Sequence, residues 1–393
     1  MEYIYINGSS TVAILRENQK VTKVFIDNKE HDFKKDDKAD KEQYAIQVKR
    51  NKYKKFLENQ FENLVVLTGA GSSKDVGGKL LTELWDDSST LLSEKKLNKL
   101  CELSHYYDRD ISGKNYVKNL EKLLSLANAA KEFVTDKDVD IKDCITKIQA
   151  LIKKDCELNL PDISPHEIFL EKITKRKVTL PRAKVFTLNY DTLFEQAARR
   201  KNFTVIDGFS FSSPRHFSGR NFDYDIVLRD KSRVKEEDNF ITRVFHLYKP
   251  HGSVDWEKLS DGTIRQSDNV SEALMIYPKD SKYENSYEQP FFEMMSRFHQ
   301  SLRKENILLI CIGFSFSDKH IVTAIMESLA QNPSFQLVVV NKGIDTSDTF
   351  KWLFELSKKH SSIVLIDEKF VDFAENYPDL KSYNQDEQNK IVI

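Results

Sequence analysis

The sequence predicts an α/β protein built on a doubly wound parallel sheet, and three observations carry that reading. Wholly apolar runs stand where strands buried on both faces would lie: Leu64-Val65-Val66-Leu67, Ile307-Leu308-Leu309-Ile310-Cys311-Ile312 and Ile363-Val364-Leu365-Ile366. In the last third of the chain such runs alternate with helical patterns, from about Lys319 to Ala330 and from Phe350 to Lys358. Small and polar residues collect where the runs end, which is where open parallel sheets bind ligands.

From the N-terminus, Tyr3-Ile4-Tyr5-Ile6 and Val21-Thr22-Lys23-Val24-Phe25-Ile26 read as strands, with turns at Asn7-Gly8 and Glu17-Asn18. Residues 28–42 are almost entirely charged and read as a solvated linker. A helix from about Tyr44 to Phe61 delivers the chain to the central strand. Its Lys49-Arg50 and Lys52 to Lys55 cluster is expected to be a solvated face rather than a grip on a polyanion. Residues 1–60 are therefore set apart as an N-terminal β-element, charged linker and helix, ahead of a main domain over 61–393.

The main domain opens with Leu64–Leu67 and breaks at once into Thr68-Gly69-Ala70-Gly71-Ser72-Ser73. A glycine turn between a strand and a helix is a place to hold a phosphate or pyrophosphate, since backbone N–H groups can approach it. The competing reading is a tight strand-to-helix turn with no ligand. Lys74 fills the slot of the third glycine of the dinucleotide fingerprint, and no strand ending in an acidic residue follows some twenty positions on. An ordinary NAD-dependent dehydrogenase is thereby disfavoured. Leu80, Leu81, Leu84 and Trp85 recur at helical spacing. Residues 94–178 hold further helical stripes, among them Val117-Leu120-Leu123-Leu124-Ala127 and Ile141-Ile145-Ile148-Leu151-Ile152. They read as a helical insertion between two strands.

The sheet resumes at Lys184-Val185-Phe186-Thr187, followed by Leu188-Asn189-Tyr190-Asp191 and a helix through Leu193, Phe194, Ala197 and Ala198. Residues 207–239 are polar and long, and read as a mobile loop. Phe240 to Leu247 resembles a strand ending in Lys249-Pro250-His251-Gly252-Ser253, and Val254 to Ile276 a small β-excursion. After a helix from about Tyr287 to Arg303, the strand at 307–312 closes on Gly313-Phe314-Ser315-Phe316-Ser317-Asp318. The strand at Phe335–Val340 ends on Asn341.

Composition limits the function classes. With 393 residues, 40% hydrophobic and 31% charged, the chain is read as a soluble protein with a polar surface. No apolar run approaches the roughly 20 residues of a membrane span, and no basic-apolar-small leader is visible at the N-terminus. Sixty basic residues against 61 acidic ones give bulk electrostatics no support for a nucleic-acid partner. Cys101, Cys144, Cys156 and Cys311 are scattered and form no CxxC pair, so neither zinc nor a disulfide framework is indicated, and a reducing cytoplasm is the natural compartment.

The strand ends carry the chemistry: Gly69-Ala70-Gly71-Ser72, Thr187 to Asp191, His251-Gly252-Ser253, Gly313-Phe314-Ser315 and Asn341. Together they put an imidazole, a neutral amide and a carboxylate on one rim with a glycine turn. The order GAGSS, TLNYD, KPHGS, GFS and a late Asn closing a strand resembles the Rossmann-like sirtuin fold over about Leu64 to Asp367. It looks closest to sirtuin-like NAD hydrolases of bacterial anti-phage defence. The stretch from Gly77-Gly78-Lys79 to Leu84-Trp85 is similar to sirtuin-like proteins that partner HerA-type ATPases.

The resemblance implies NAD as substrate and no metal. By it, Gly69, Ala70, Gly71 and Ser72 cradle the pyrophosphate, and Thr187 joins the cofactor-binding residues. Asn189 and Asp191 lie near the nicotinamide ribose, His251 is the catalytic base, and Gly313, Ser315 and Asn341 contact the adenosine half. Deacylating sirtuins follow the glycine loop with Pro-Asp-Phe-Arg and carry a four-cysteine zinc module, and this chain has neither. The expectation is an NAD glycohydrolase. Its rivals are a sirtuin-type deacylase or ADP-ribosyltransferase, and a non-catalytic subunit that senses NAD or ADP-ribose. A homo-oligomer and a HerA-type ATPase partner are expected, with residues 1–60 helping to build the assembly because their apolar alternation must be buried somewhere.

Overall fold

The computed structural model describes residues 1–33, 40–59, 61–110, 112–227, 240–270, 272–276 and 288–379. An 11-stranded sheet organises them. Its parallel part consists of β5 (Asn63–Thr68), β6 (Lys184–Thr187), β7 (Thr204–Ile206), β9 (Val244–Tyr248), β12 (Ile307–Ile312), β13 (Phe335–Asn341) and β14 (Ile363–Asp367), in the order β14-β13-β12-β5-β6-β9-β7. From β5 the chain moves out to one side through β6. It later returns to β12 on the other side and moves out again through β13 to β14. Strand order therefore reverses between β5 and β12, and the crevice outside their carboxyl ends is the topological switch point of the sheet.

Alternation along the strands sends side chains into two cores. Leu64, Val66, Leu308 and Ile310 face α1 (Lys41–Leu57), α6 (Pro165–Ile173), α7 (Leu193–Arg200) and α11 (Phe370–Asn376). Val65, Leu67, Leu309 and Cys311 face α8 (Phe291–Leu302), α9 (Lys319–Gln331) and α10 (Lys351–Ser357). Helices on both faces explain why the strands are apolar without interruption.

The N-terminal segment extends this same sheet. Antiparallel β1 (Glu2–Asn7) pairs with β14 through Tyr5↔Ile366, and β2 (Ser10–Glu17), β3 (Lys20–Ile26) and β4 (Lys29–Glu30) follow in order. The sequence suggests two strands here. The structure adds β2 between them, with Thr11 to Ile14 buried throughout. Gly8 at φ +59° and Asn18 at φ 50° make the turns. Ile4, Tyr5, Val12, Ile14 and Val24 enter the core beneath α1, so the apolar alternation of residues 1–27 is covered within the chain itself.

Asp40 caps α1 by accepting from the Glu42 amide at 2.9 Å, which starts the helix three residues before the expected position. Its basic cluster is largely engaged. Lys49 is buried and donates to the Asp367 carbonyl at 2.8 Å, Arg50 pairs with Glu368 at 3.0 Å, and Lys52 pairs with Asp27 at 2.7 Å. The expected charged linker is described only at its ends, because residues 34–39 lie outside the described residues.

Between β5 and β6 stand α2 (Leu81–Leu92), α3 (Glu94–Leu103), α4 (Leu120–Ala130) and α5 (Ile141–Cys156), which share their own core of Leu84, Trp85, Leu100, Leu124 and Ile148. By contrast α6 packs on the sheet through Phe169, Leu170 and Ile173. Past β7, β8 (Arg215–His216), β10 (Trp256–Lys258) and β11 (Ile264–Gln266) form a three-stranded antiparallel sheet; β10 and β11 lie within the excursion expected over Val254 to Ile276, whereas β8 comes from the stretch expected to be a loop. Residues 207–227, read from the sequence as part of a loop, are pinned by buried Phe209 and Phe222 and by Arg215 on Asp207 at 2.8 Å. The rest of that stretch, 228–239, lies outside the described residues. Among the described residues no helix is long and apolar enough to cross a membrane.

Candidate active site

Two glycine turns meet at the switch point. The turn after β5 runs into short 3-10 turns at Ala70–Ser72 and Lys74–Val76, and α2 begins only at Leu81. The Gly71 amide donates to the Gly313 carbonyl at 3.0 Å, and the Gly69 amide to the Ile312 carbonyl at 3.0 Å. A Cβ on Gly71 would stand 2.7 Å from the Gly313 Cα. At Gly313, with φ +60°, a Cβ would stand 2.4 Å from the Ser72 nitrogen. Glycine is thus required here for one turn to lie against the other. The Ser72 and Ser73 amides close the 3-10 turn on Gly69 and Ala70, so the amides of Gly69, Gly71, Ser72 and Ser73 all donate within the protein. Ala70 itself is exposed.

An asparagine at the end of each flanking strand braces one of these turns. Asn189, after β6, donates from Nδ2 to the Gly69 carbonyl at 3.1 Å, to Ser72 Oγ at 3.1 Å and to Ser73 Oγ at 2.8 Å. Asn341, at the end of β13, donates from Nδ2 to the Phe314 carbonyl at 2.9 Å. Thr187 is buried and accepts the Asn189 amide on Oγ1 at 3.2 Å. Asp191 is also buried, accepting from Ser73 Oγ at 2.6 Å and from the Leu193 amide at 3.2 Å. Burial raises the Asp191 carboxyl, against the pull of Lys249 and the Ser73 hydroxyl. Asn189→Ala should consequently loosen the glycine turn and destabilise the fold by about 1–3 kcal/mol, the cost of leaving half-buried polar groups unpaired. Denaturant unfolding checks this, and a loss within about 0.5 kcal/mol, typical of an uninvolved surface site, would contradict it.

His251 lies in the turn after β9, the neighbour of β6. Gly252 has φ +87° and a Cβ there would meet the Leu274 carbonyl at 2.1 Å, so only glycine lets this turn fold under residues 272–276. The His251 carbonyl accepts the Ile276 amide at 2.8 Å. Its ring Nε2 stands 3.2 Å from Asp318 Oδ2, and the side chain retains 16% exposure, enough to meet a ligand. Beneath it Lys249 is buried. Nζ donates to Glu195 at 3.0 Å, to Ser253 Oγ at 2.7 Å and to the main-chain carbonyls of Tyr190 and Asp191. Burial works against the Lys249 charge, but Glu195, Asp255 and Asp191 outweigh it and raise its pKa. This cation ties the His251 turn to the Asn189 turn.

The structure therefore joins Gly69, Gly71, Ser72, Thr187, Asn189 and Asp191 in one network, with Gly313 and Asn341 attached across the crevice. His251 is linked to it through Lys249. Ser315 is exposed and shares a 2.7 Å hydrogen bond with Ser317. Sequence reasoning left Ser73, Lys249 and Asp318 out of the site. Ser73 was legible as a hydroxyl of the glycine turn, and Lys249 as a lysine at the end of a buried strand beside Pro-His. Cys101, Cys144 and Cys311 are buried in apolar cores. Among the described residues no group of three or more His, Cys, Asp or Glu side chains is placed to hold a metal ion. A separate open cavity of about 560 Å³ lies at the opposite, amino-terminal ends of β12 and β13, lined by His299, Arg303, Glu327 and Asn332.

Over residues 183–357 the chain matches the family model of the SIR2-like domain. The matched stretch begins just before β6 and ends with α10, so it holds Asn189, His251, Gly313 and Asn341 but not the glycine turn after β5. No curated protein matches the chain. The domain match supports a sirtuin-like family, and SIR2-like domains bind NAD, which points to NAD-related activity in general. The large, mostly parallel sheet with helices on both faces agrees with the Rossmann-like, sirtuin-like fold expected from the sequence.

Proposed function

We propose that the chain hydrolyses NAD between nicotinamide and ribose, releasing nicotinamide and ADP-ribose. The observation that carries this reading is the linkage, at the switch point, of the paired glycine turns with Asn189 and His251. The leaving group asks little of the protein. The electron pair of the breaking bond returns to the ring nitrogen, and nicotinamide departs neutral without a strong acid. What the site must do is hold the ribose, stabilise an oxocarbenium-like state and direct water to the anomeric carbon.

Asn189 Nδ2 is engaged with the glycine turn, so Oδ1 is the atom left to accept from a ribose hydroxyl or the attacking water. His251, partly exposed at the rim of the site, takes the proton that water loses. A role as an anti-phage effector that depletes NAD in the cytoplasm, as a homo-oligomer beside a HerA-type ATPase, rests on the motif order alone.

The test is product analysis of the purified chain with NAD, with and without an acetyl-lysine peptide. Nicotinamide and ADP-ribose in equal amounts, unaffected by peptide, is the expected result. Peptide-dependent O-acyl-ADP-ribose would replace hydrolysis with deacylation. Binding of NAD without turnover, in the presence of a purified partner as well, would favour a sensor.

A further inference from the structure

We propose that Asp318 is the positioning residue for His251: its carboxylate holds the proton of the neutral imidazole on Nε2, so that Nδ1 is the atom that accepts a proton from water. The inference rests on the NAD-hydrolase reading and adds to it the geometry of the base. Asp318 ends the turn that begins at Gly313, and its two oxygens face different ways. Oδ1 accepts the His320 amide at 3.1 Å and caps α9, while Oδ2 stands 3.2 Å from His251 Nε2. The side chain keeps only 8% exposure. A carboxylate fixed by a helix cap is a rigid acceptor, since the same backbone that starts α9 sets where Oδ2 can lie.

An ionised carboxylate only accepts hydrogen bonds, so a neutral His251 meets it through Nε2–H, and the lone pair is left on Nδ1. When water attacks the anomeric carbon, its proton passes to Nδ1. The resulting imidazolium then lies against the Asp318 charge until the proton leaves to solvent. The contact also spans the crevice, from the loop after β9 to the loop after β12, so the base is held by the element that carries Gly313.

A cap alone would make Asp318 merely structural, and two substitutions separate the roles. Asp318→Asn and Asp318→Ser both keep a favoured N-cap, but Asn carries no charge and Ser is too short to reach the ring. Both variants should melt close to wild type. Both should lose kcat by ~10²-fold or more, within the range general-base catalysis supplies, with little change in KM. In protein labelled with ¹⁵N-histidine, and with His251 assigned by comparison with His251→Ala, wild type should show the Nε2–H tautomer and Asp318→Ser a mixture. Wild-type turnover retained in Asp318→Ser, or an Nδ1–H tautomer in the wild type, would overturn the proposal. A wild-type chain that binds NAD without cleaving it would instead remove the hydrolase reading, and the tautomer would still report on the contact.

Discussion

His251→Ala is expected to lower NAD cleavage by ~10²–10⁴-fold, the range supplied by a positioned general base, while leaving the melting temperature near that of wild type. The side chain is partly exposed, and its ring Nε2 stands 3.2 Å from Asp318. Nothing in either sheet core depends on it. The turn is set by Gly252 and by the backbone bond from Ile276 to the His251 carbonyl, both of which survive truncation. Turnover should therefore collapse with little change in NAD affinity, because the glycine turns and Asn189 are untouched. Turnover at the wild-type rate in a folded His251→Ala protein would remove the residue from the chemistry.

Lys249→Met should have the largest effect on the fold itself, about 3–5 kcal/mol, the cost of stripping one partner from a buried charged pair. Its side chain is 2% exposed and that of Glu195 14%, so little water reaches the carboxylate that would be left behind. Among the described residues Glu195 Oε2 and Asp255 Oδ1 are already buried without a hydrogen bond, so little is left to compensate these groups once the cation is gone. Lys249 also holds the carbonyls of Tyr190 and Asp191, and losing it would let the Asn189 and His251 turns separate. The companion variant is Lys249→Met with Glu195→Leu. Replacing both members of a buried pair by apolar groups is often close to neutral, so the double variant should recover much of the loss in urea denaturation. A single variant that loses under about 1 kcal/mol would show that the pair carries little.

Much of this architecture is legible in the chain because the parallel strands are covered on both faces. Runs such as Ile307–Ile312 have no polar position to blur their ends, and the glycines or asparagines that stop them are unmistakable. Neither β2 nor α11 stands out. Ser10–Glu17 lies between two turns, with its polar end exposed, and Phe370–Asn376 is barely two turns long. The site divides the same way. Its glycine, asparagine and histidine are visible because strand ends are where ligands gather. Their partners are not, because Ser73 meets Asp191 across 118 positions and Asn189 meets Gly69 across 120. The glycines themselves suggest a turn open to phosphate. That Gly71 and Gly313 need the absence of a side chain to face one another is a fact of tertiary packing, which no local pattern carries.

NAD should occupy the crevice between β5 and β12 with its nicotinamide ribose between Asn189 and His251. A crystal structure with a carbocyclic NAD analogue, in which the scissile bond cannot break, tests this most directly. The pyrophosphate should lie against the paired turns at Gly69–Ser72 and Gly313, and the nicotinamide-bearing ring within hydrogen-bond reach of Asn189 and His251. An analogue seated in the cavity of about 560 Å³ at the amino-terminal ends of β12 and β13, beside His299 and Arg303, would contradict it.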